Sequence, residues 1–300
     1  MSFRPIAVCL LLGFVFCQGY FTEAAVAAPP KGIAFTWSER RYLLRQFVDA
    51  GYSYRFLAKV FLNKKLQKIP SIVRQNIVNK VPKNSYDDFV SSYSIDRAVR
   101  FSRKWRTLLS KASRKFQVEK EVIVAILLVE TGLGTIRGDY HVASVFSSII
   151  AENYAKVREL RSKPTLGKRE RYELNRLNSK DRWARKEMAA LLKIIKKTRH
   201  DPFHFKGSYA GAFGISQFLP SSYLEWGFDA DNNGSVNLYW FPDAIYSVGN
   251  YLKAHGWKFG LTEKRKEKII WKYNHSKRYV DTVLLAARKI GQKRRGKKSD

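Results

Sequence analysis

Cysteine is almost absent from this 300-residue sequence, which contains only Cys9 and Cys17. Both lie in a leading segment, residues 1–27, that we expect to be removed, so the remaining chain has no thiol. This absence excludes a disulfide framework and a cysteine-ligated metal site. After the leading segment no apolar run approaches the roughly 20 residues of a transmembrane helix, and we therefore expect a soluble or peripheral protein.

The leading segment has the three parts of a secretory signal. Arg4 precedes an apolar run, Ile6–Phe16, and the small residues Ala25-Val26-Ala27 form the cleavage site. The sequence thus predicts export, to the periplasm or out of the cell. The alternative is a lipoprotein signal acylated at Cys17, which is disfavoured because a large residue directly precedes that cysteine.

Acidic residues are scarce, since 25 Asp and Glu stand against 56 Lys and Arg and give a net charge of +31. Such a charge favours polyanionic partners, namely nucleic acid, anionic lipid or an anionic wall polymer. An exported protein meets envelope polymers first, so we expect electrostatic contact with the anionic envelope and no nucleic-acid partner. The alternative, for any single cluster, is that Lys and Arg only keep helices hydrated.

Helical periodicity is what the chain has in abundance. Short apolar-periodic segments separated by turn residues such as Pro70 predict a small N-terminal helical subdomain, with its first helix starting at Ser38-Glu39. After a charged stretch with a weak apolar pattern, an amphipathic helix is predicted to resume over Met188–Ile195. The predicted division is an N-terminal subdomain over residues 28–110, a main domain over 111–290 with a basic surface insertion at 161–180, and a basic, mobile tail over 291–300.

One helical stretch, Lys120–Gly134, carries the main candidate for chemistry. Its apolar run Val122–Val129 is typical of a buried helix, and it ends on Glu130 just before a glycine-broken turn. A carboxyl group placed where a core meets an opening loses hydration in its charged form, which raises its pKa and lets it act as a general acid near neutral pH. The alternative is a solvated Glu in a last helical turn, and this stretch alone leaves both open.

A second stretch, Gly207–Tyr223, is rich in small residues that let the backbone approach a neighbour closely, and it presents Gln217 among them. Together with three other stretches it resembles the lytic murein transglycosylase B family, enzymes that cut bacterial peptidoglycan. The four blocks occur in the family's order: VETGLG around Glu130, GSYAGAFGISQFLPSSY around Gln217, the loop Asp229–Trp257, and KYNHSKRYV from Lys272 to Val280.

The resemblance implies a mainly α, lysozyme-like catalytic domain over residues 111–290, with a groove for a glycan strand. It implies cleavage of the β-1,4 bond between N-acetylmuramic acid and N-acetylglucosamine, with formation of 1,6-anhydromuramic ends and with Glu130 as the single catalytic acid and base. It gives Ser208 and Gln217 the role of orienting the sugars, and it places Tyr273 and Asn274 at the scissile bond. The reaction so implied needs no cofactor, and we expect a monomer that acts on glycan strands.

The loop that begins at Asp229 also has a pattern of its own. Asp229, Asp231 and Asn233 offer oxygens at alternate positions before Gly234, as at the start of a calcium-binding loop, and Ser235 would add its backbone carbonyl. The pattern alone leaves a metal-free Asx turn equally open. The family's longer loop implies a further ligand at Asp243 and favours structural calcium, or sodium in its place.

Two features depart from the family pattern and keep alternatives open. Asp139 is a second acid where none is expected; if it reaches the cleft it could activate water and make the protein a hydrolytic muramidase of the lysozyme type. The basic insertion at residues 161–180 could extend the groove, dock on an anionic surface or be simply solvated. A third alternative, based on charge alone, is a non-catalytic basic protein that binds cell wall or nucleic acid.

Overall fold

The computed structural model describes residues 32–72 and 86–296. The predicted secretory signal at residues 1–27 lies outside the described residues. The prediction of a mainly α fold is confirmed, because long helices make up most of the described chain and the strands are only two residues long. None of the helices in these two ranges is long and apolar enough to cross a membrane.

Some helices are joined by a single residue, such as Trp105, and others by long loops, such as residues 199–219. In chain order they are α1 (Trp37–Val48), α2 (Tyr54–Phe61), a 3-10 turn (Asp87–Val90), α3 (Ser92–Lys104), α4 (Arg106–Phe116), α5 (Lys120–Thr131), α6 (Val142–Arg161), α7 (Lys168–Thr198), α8 (Pro220–Trp226), α9 (Phe241–Ala254), α10 (Glu263–Tyr273) and α11 (Lys277–Gly296). Their buried apolar side chains form a contiguous core that extends from Phe35 to Ile290.

Helix α1 starts at Trp37, one residue before the predicted start. Thr36 is its cap: the Thr36 hydroxyl accepts a hydrogen bond from the Glu39 N–H at 3.2 Å, and the Glu39 carboxylate accepts one from the Thr36 N–H at 2.8 Å. This reciprocal pair satisfies two N–H groups that the helix itself leaves unbonded.

Helix α5 is the centre of the core, as its apolar run predicted. Every residue from Val122 to Thr131 is buried. The helix ends at Gly132, whose φ of 56° lies in the left-handed region that glycine adopts without steric cost. Helix α11 packs along α5, so these two helices together set the position of whatever α5 carries at its end.

Two small antiparallel pairs fix the loops. Strand β1 (Ile33–Ala34) pairs with β2 (Gln67–Lys68), and β3 (Tyr140–His141) pairs with β4 (Lys206–Gly207). The second pair leads into a tight loop, because Phe213 forms further bridges to Gly207 and to Phe218. This loop lies against the C-terminal end of α5, where the Thr131 hydroxyl donates to the Ile215 carbonyl at 2.9 Å.

The basic insertion predicted at residues 161–180 is part of a helical hairpin. Helix α6 ends at Arg161, and α7 begins at Lys168, well before the helix start predicted at Met188. The prediction missed this start because the first turns of α7 are mostly exposed and carry no apolar stripe, although Lys, Arg and Glu favour helix. The pattern becomes visible only from Leu177, which is 2% exposed.

Residues 291–296 of the predicted basic tail continue helix α11. Two ion pairs hold this end of the helix against the core: Arg294 contacts Glu121 of α5, and the Lys293 ammonium lies 2.8 Å from an Asp96 carboxylate oxygen. Residues 297–300 of the predicted tail lie outside the described residues. The predicted boundary between the N-terminal subdomain and the main domain stays a prediction.

Candidate active site

Glu130 occupies the last turn of α5 and is 9% exposed. Burial raises the pKa of its carboxyl group to about 8, because the charged form loses its hydration there. A hydrogen bond from the Tyr279 hydroxyl to Glu130 Oε1, at 2.6 Å, opposes this rise only in part. At pH 7 the group is therefore mostly protonated, and it can donate a proton to a bond placed beside it.

The tight loop between β4 and α8 depends on glycine at close approaches. A Cβ on Gly207 would lie 1.9 Å from the Ala212 carbonyl oxygen. Gly214 has a φ of 76°, and a Cβ there would lie 2.4 Å from the Leu238 Cβ. Both positions thus exclude larger residues, which is the physical reason for the small residues of this block.

Gln217 stands at the turn of this loop with a φ of 48°, a left-handed conformation that is uncommon for a non-glycine residue. Its side-chain amide donates to the carbonyls of Gly214 at 2.8 Å and Arg137 at 3.1 Å. Its Oε1 is buried and has no hydrogen-bond partner in the part of the chain that the structure describes. The side chain is thus held in one orientation with an unused acceptor.

Ser208 lies deeper in the same loop and is 1% exposed. Its hydroxyl accepts from the Ala212 N–H at 3.3 Å and lies 3.4 Å from the Ala212 carbonyl oxygen. These contacts close the turn that carries Gln217. The role of Ser208 in sugar binding stays a prediction, and in this geometry its hydroxyl is engaged with the backbone.

Tyr273 and Asn274 lie at the end of α10, and Tyr273 contacts the loop that carries Gln217. The Tyr273 hydroxyl donates to the Ser216 carbonyl at 2.6 Å, and its ring stacks against that of Tyr279 with centroids 6.3 Å apart. Asn274 is 3% exposed and follows in an extended conformation. Tyr273 therefore joins the Gln217 loop, through its hydrogen bond, to Tyr279, the partner of Glu130, through its ring.

Asp139, the candidate second acid, differs from Glu130 in its exposure to solvent. It is exposed, on the loop just before β3, and among the described residues it shares no hydrogen bond with Glu130, whose partner is Tyr279. Burial thus raises the pKa of Glu130 against the opposing hydrogen bond from Tyr279, and Asp139 plays no part in this shift.

The Asp-rich loop gathers three carboxylates. One oxygen each from Asp229, Asp231 and Asp243 lie within 4.8 Å of one another. Asp243 is fully buried in the first turn of α9, and its two oxygens accept from the backbone N–H groups of Ala230 at 2.9 Å and Asn237 at 2.6 Å. Burial, and then the charges of Asp231 and Asp229, raise the pKa of Asp243 against those hydrogen bonds. Such a cluster has the donor set of a hard cation site.

Asn233 and Ser235 shape the tip of this loop. The Asn233 amide donates to Asp231 Oδ2 at 3.0 Å, and its own Oδ1 accepts from the Ser235 N–H at 2.9 Å. The glycine between them, Gly234, has a φ of 87° and allows the sharp turn. The order of residues predicted for a cation loop is thus accompanied by the backbone turn that such a loop requires.

Comparison with known proteins identifies the family. The Transglycosylase SLT domain matches residues 38–265, which is most of the chain. The chain belongs to the SLT transglycosylase family. It is 32% identical over 173 residues to the membrane-bound lytic murein transglycosylase B of Escherichia coli K12, an alignment that covers 57% of this chain and 41% of that relative. The match thus spans less than half of the relative's length.

Two solved structures share the fold of this transglycosylase-family chain. The E. coli lytic transglycosylase Slt35 in complex with calcium has a TM-score of 0.70 and 20% identity, with 88% of this chain and 96% of that chain covered. SltB3 from Pseudomonas aeruginosa in complex with NAG-anhNAM-pentapeptide has a TM-score of 0.66 and 18% identity, with 83% and 78% covered. The predicted lysozyme-like transglycosylase fold and the resemblance to this family are therefore confirmed.

Tyr279 is the residue of this family member's site that sequence reasoning missed. It lies within the block KYNHSKRYV, yet a tyrosine on an apolar helix face indicates a core position and not a partner for an acid. It is 1% exposed, and it contacts Glu130 from 149 residues further along the chain. The signal that could have found it is its place in the same block as Tyr273 and Asn274.

Proposed function

We propose that this protein cleaves the β-1,4 bond between N-acetylmuramic acid and N-acetylglucosamine in peptidoglycan by intramolecular transglycosylation. The observation that carries the proposal is the buried Glu130 carboxyl, whose pKa of about 8 keeps it protonated at neutral pH. Two comparisons support it: the 32% identity to a lytic murein transglycosylase, and the similar fold of SltB3, whose complex holds a NAG-anhNAM-pentapeptide.

The first step uses Glu130 as a general acid. Its proton passes to the glycosidic oxygen as the bond from that oxygen to C1 of the muramic acid breaks, and N-acetylglucosamine leaves with a free 4-hydroxyl. Glu130 is then a carboxylate in a site that disfavours its charge. This charge makes it ready to take a proton back.

The second step closes a ring inside the substrate. The 6-hydroxyl of the muramic acid attacks C1, a C1–O6 bond forms, and the hydroxyl proton goes to Glu130, which regains its starting state. Because both reacting atoms belong to one sugar, most of the entropic cost of bringing them together is avoided. No second carboxylate is needed, which fits the exposed position of Asp139.

The remaining predicted residues position the sugars in this proposal. Gln217 offers its unused buried acceptor to a substrate N–H or hydroxyl, and its fixed amide keeps that acceptor in place. Asn274 follows Tyr273 at the end of α10, and in this proposal it offers its side-chain amide at the scissile bond. Ser208 supports the turn that holds Gln217.

We further infer that the Asp-rich loop holds a calcium ion, or a sodium ion in its place. Asp229, Asp231, Asn233, Asp243 and the Ser235 carbonyl would be the ligands, and the three clustered carboxylates fit a hard cation, which would relieve their mutual repulsion. The role is structural. The loop supports the Gln217 turn directly, since the Ile215 N–H donates to the Leu238 carbonyl at 2.8 Å.

The signal-like leading segment and the net charge of +31 support action outside the cytoplasm, in the periplasm or as a secreted protein. The positive charge draws the protein to the anionic envelope, in which the glycan strands lie. The curated relative is named as membrane-bound.

Digestion of purified peptidoglycan by the full-length protein, followed by mass spectrometry of the fragments, tests this proposal. We expect 1,6-anhydro ends from the wild-type protein and none from Glu130→Gln. Hydrated reducing ends would contradict transglycosylation and favour a muramidase, and full activity in Glu130→Gln would contradict both.

A further inference from the structure

A basic cavity opens at the end of α5 opposite to Glu130. It has a volume of about 680 Å³ and lies between the ends of α3, α4 and α5 and the outer halves of α10 and α11. Seven Lys and Arg side chains line it, together with only two carboxylates, Glu119 and Glu121. It is hereafter called the basic cavity.

The two carboxylates of the basic cavity already have cationic partners. A Glu119 oxygen lies 3.5 Å from the Lys266 ammonium, and its other oxygen accepts from the Trp257 indole at 2.7 Å. Glu121 pairs with Arg294. Two of the seven cations of the basic cavity therefore already neutralise both of its carboxylates.

Most of the other cations have no counter-charge. The side chains of Arg103, Arg106 and Arg295 are exposed, and none of these three side chains makes a hydrogen bond or ion pair with residues 32–72 or 86–296. Within the described part of the chain, the Lys120 ammonium has one hydrogen-bond partner, the neutral Ser110 hydroxyl, at 3.1 Å. Arg288 pairs with Glu263 at 3.5 Å, but both side chains are more than half exposed, which makes the pair weak.

The first turn of α5 adds a second source of positive potential. Its cap residue, Glu119, makes no side-chain cap, and the backbone N–H groups of Lys120 and Glu121 have no acceptor among the described residues. The N-terminal end of a helix carries a partial positive charge and attracts anions. The guanidinium groups that line the cavity add paired donors that match phosphate oxygens.

We propose that the basic cavity binds a phosphate-bearing group of the envelope. The surplus of cations exceeds what one carboxylate neutralises, and the phosphates of a lipid surface or a wall polymer recur close together, so they bring several charges and acceptor oxygens to one cavity. Glu130 lies about ten residues along α5, or roughly 15 Å from the cavity at 1.5 Å per residue. A ligand bound there leaves the candidate active site open, so the cavity would tether the protein beside its substrate.

The test compares the full-length wild-type protein with Arg103→Gln/Arg106→Gln, which removes two exposed charges from the cavity. Calorimetric titration with inorganic pyrophosphate should show binding by the wild-type protein and at least roughly tenfold weaker binding by the variant, since charge-assisted bonds are lost. The matched control is Lys168→Gln/Arg169→Gln, which removes the same charge from the exposed first turn of α7. It should bind within about twofold of wild type.

Three results would overturn the proposal. They are no pyrophosphate binding by the wild-type protein, equal weakening in the control variant, and binding of succinate as tight as that of pyrophosphate. Unfolding curves for both variants should match the wild type, because all four substituted side chains are exposed. A weakened variant with an unchanged unfolding curve therefore supports the site itself.

Vesicles identify the source of the phosphate. Sedimentation with vesicles of phosphatidylglycerol, lost in Arg103→Gln/Arg106→Gln and absent with phosphatidylcholine alone, would assign the cavity to a lipid headgroup. Pyrophosphate binding without vesicle binding would assign it to a phosphate on a polymer. Cleavage of short soluble glycan fragments should be unchanged in the variant, which separates failure of this site from failure of the proposed catalytic function.

Discussion

Glu130 and Asp243 are both buried carboxylates, so both lose hydration in their charged form, but their surroundings differ. Glu130 is 9% exposed and has a single neutral hydrogen-bond partner, Tyr279. Asp243 is 0% exposed, but two backbone N–H groups donate to it and two further carboxylates stand beside it. Burial raises the pKa of both.

The difference lies in what relieves the charge. A carboxylate with few donors and no cation within reach is most easily relieved by a proton, and the pKa of Glu130 of about 8 expresses this. A carboxylate fixed by backbone donors among other acids is most easily relieved by a cation. Burial alone thus indicates neither role, because the neighbours of the group decide between an acid and a metal ligand.

The largest effect should come from removing the proton donor. Glu130→Gln keeps the shape and burial of the side chain but cannot donate or accept the proton, so we expect the rate of peptidoglycan cleavage to fall by about a thousandfold or more. Release of soluble muropeptides measures it. The matched control is Asp139→Asn at the exposed acid. A comparable loss in that variant would contradict a reaction with one carboxylate.

A smaller loss is expected from Gln217→Ala, because the acid remains while the sugar loses an oriented partner. Misplacement of a substrate by about 1 Å can cost roughly a hundredfold in rate, and we expect a loss of that order or less in kcat/KM. Steady-state kinetics on soluble glycan strands measures it. An unchanged kcat/KM would remove Gln217 from the site, provided that the melting curve shows an intact fold.

For the proposed cation site at Asp243 we expect a change in protein stability and not in the rate of cleavage. Calcium at about a hundred times its Kd should stabilise the wild-type protein by about 2.7 kcal/mol, since it binds only the folded loop. Asp243→Asn should lose most of this calcium-dependent rise in Tm. Thermal unfolding with calcium and with a chelator measures it, and Asp49→Asn, at an exposed acid outside the loop, is the control. An equal calcium response in Asp243→Asn would contradict the site.

The smallest effect should be a shift in pH dependence. A general acid must be protonated, so kcat/KM should fall as pH rises through about 8, the pKa of Glu130. The Tyr279 hydrogen bond favours the charged form and lowers this pKa. Tyr279→Phe should therefore move the falling limb upward by about one pH unit or less. A shift to lower pH would contradict the assigned role of that bond.

The same raised pKa also links stability to pH. The unfolded chain ionises Glu130 near its ordinary value of 4.5, whereas the folded protein does so near 8, so the folded state binds the extra proton between these values. Wild-type stability should thus fall relative to Glu130→Gln as pH rises through this window and level off above it.

Local patterns carried much of this account. The buried helix α5, its end at Gly132 and the buried acid-base candidate in its last turn follow from an apolar run and a glycine, which act within one or two turns. The order of oxygens in the Asp229 loop is likewise local. These features were predictable because the residues that cause them are neighbours in the sequence.

Contacts between distant residues were not predictable in this way. Tyr279 reaches Glu130 across 149 residues, and only the packing of α11 along α5 brings them together. The helical end at residues 291–296 depends on Arg294 and Lys293 finding Glu121 and Asp96 in other helices. A basic sequence at a terminus indicates solvation, and the acids that order it lie elsewhere in the chain.

The central claim is that Glu130 works alone, with the 6-hydroxyl of the substrate as the attacking group. Digestion of peptidoglycan in heavy-oxygen water, followed by mass spectrometry of the new ends, tests it most directly. The account predicts anhydro ends that carry no heavy oxygen, because no water enters the reaction. Reducing ends that carry one heavy oxygen would contradict it and would show that water attacks the muramic acid.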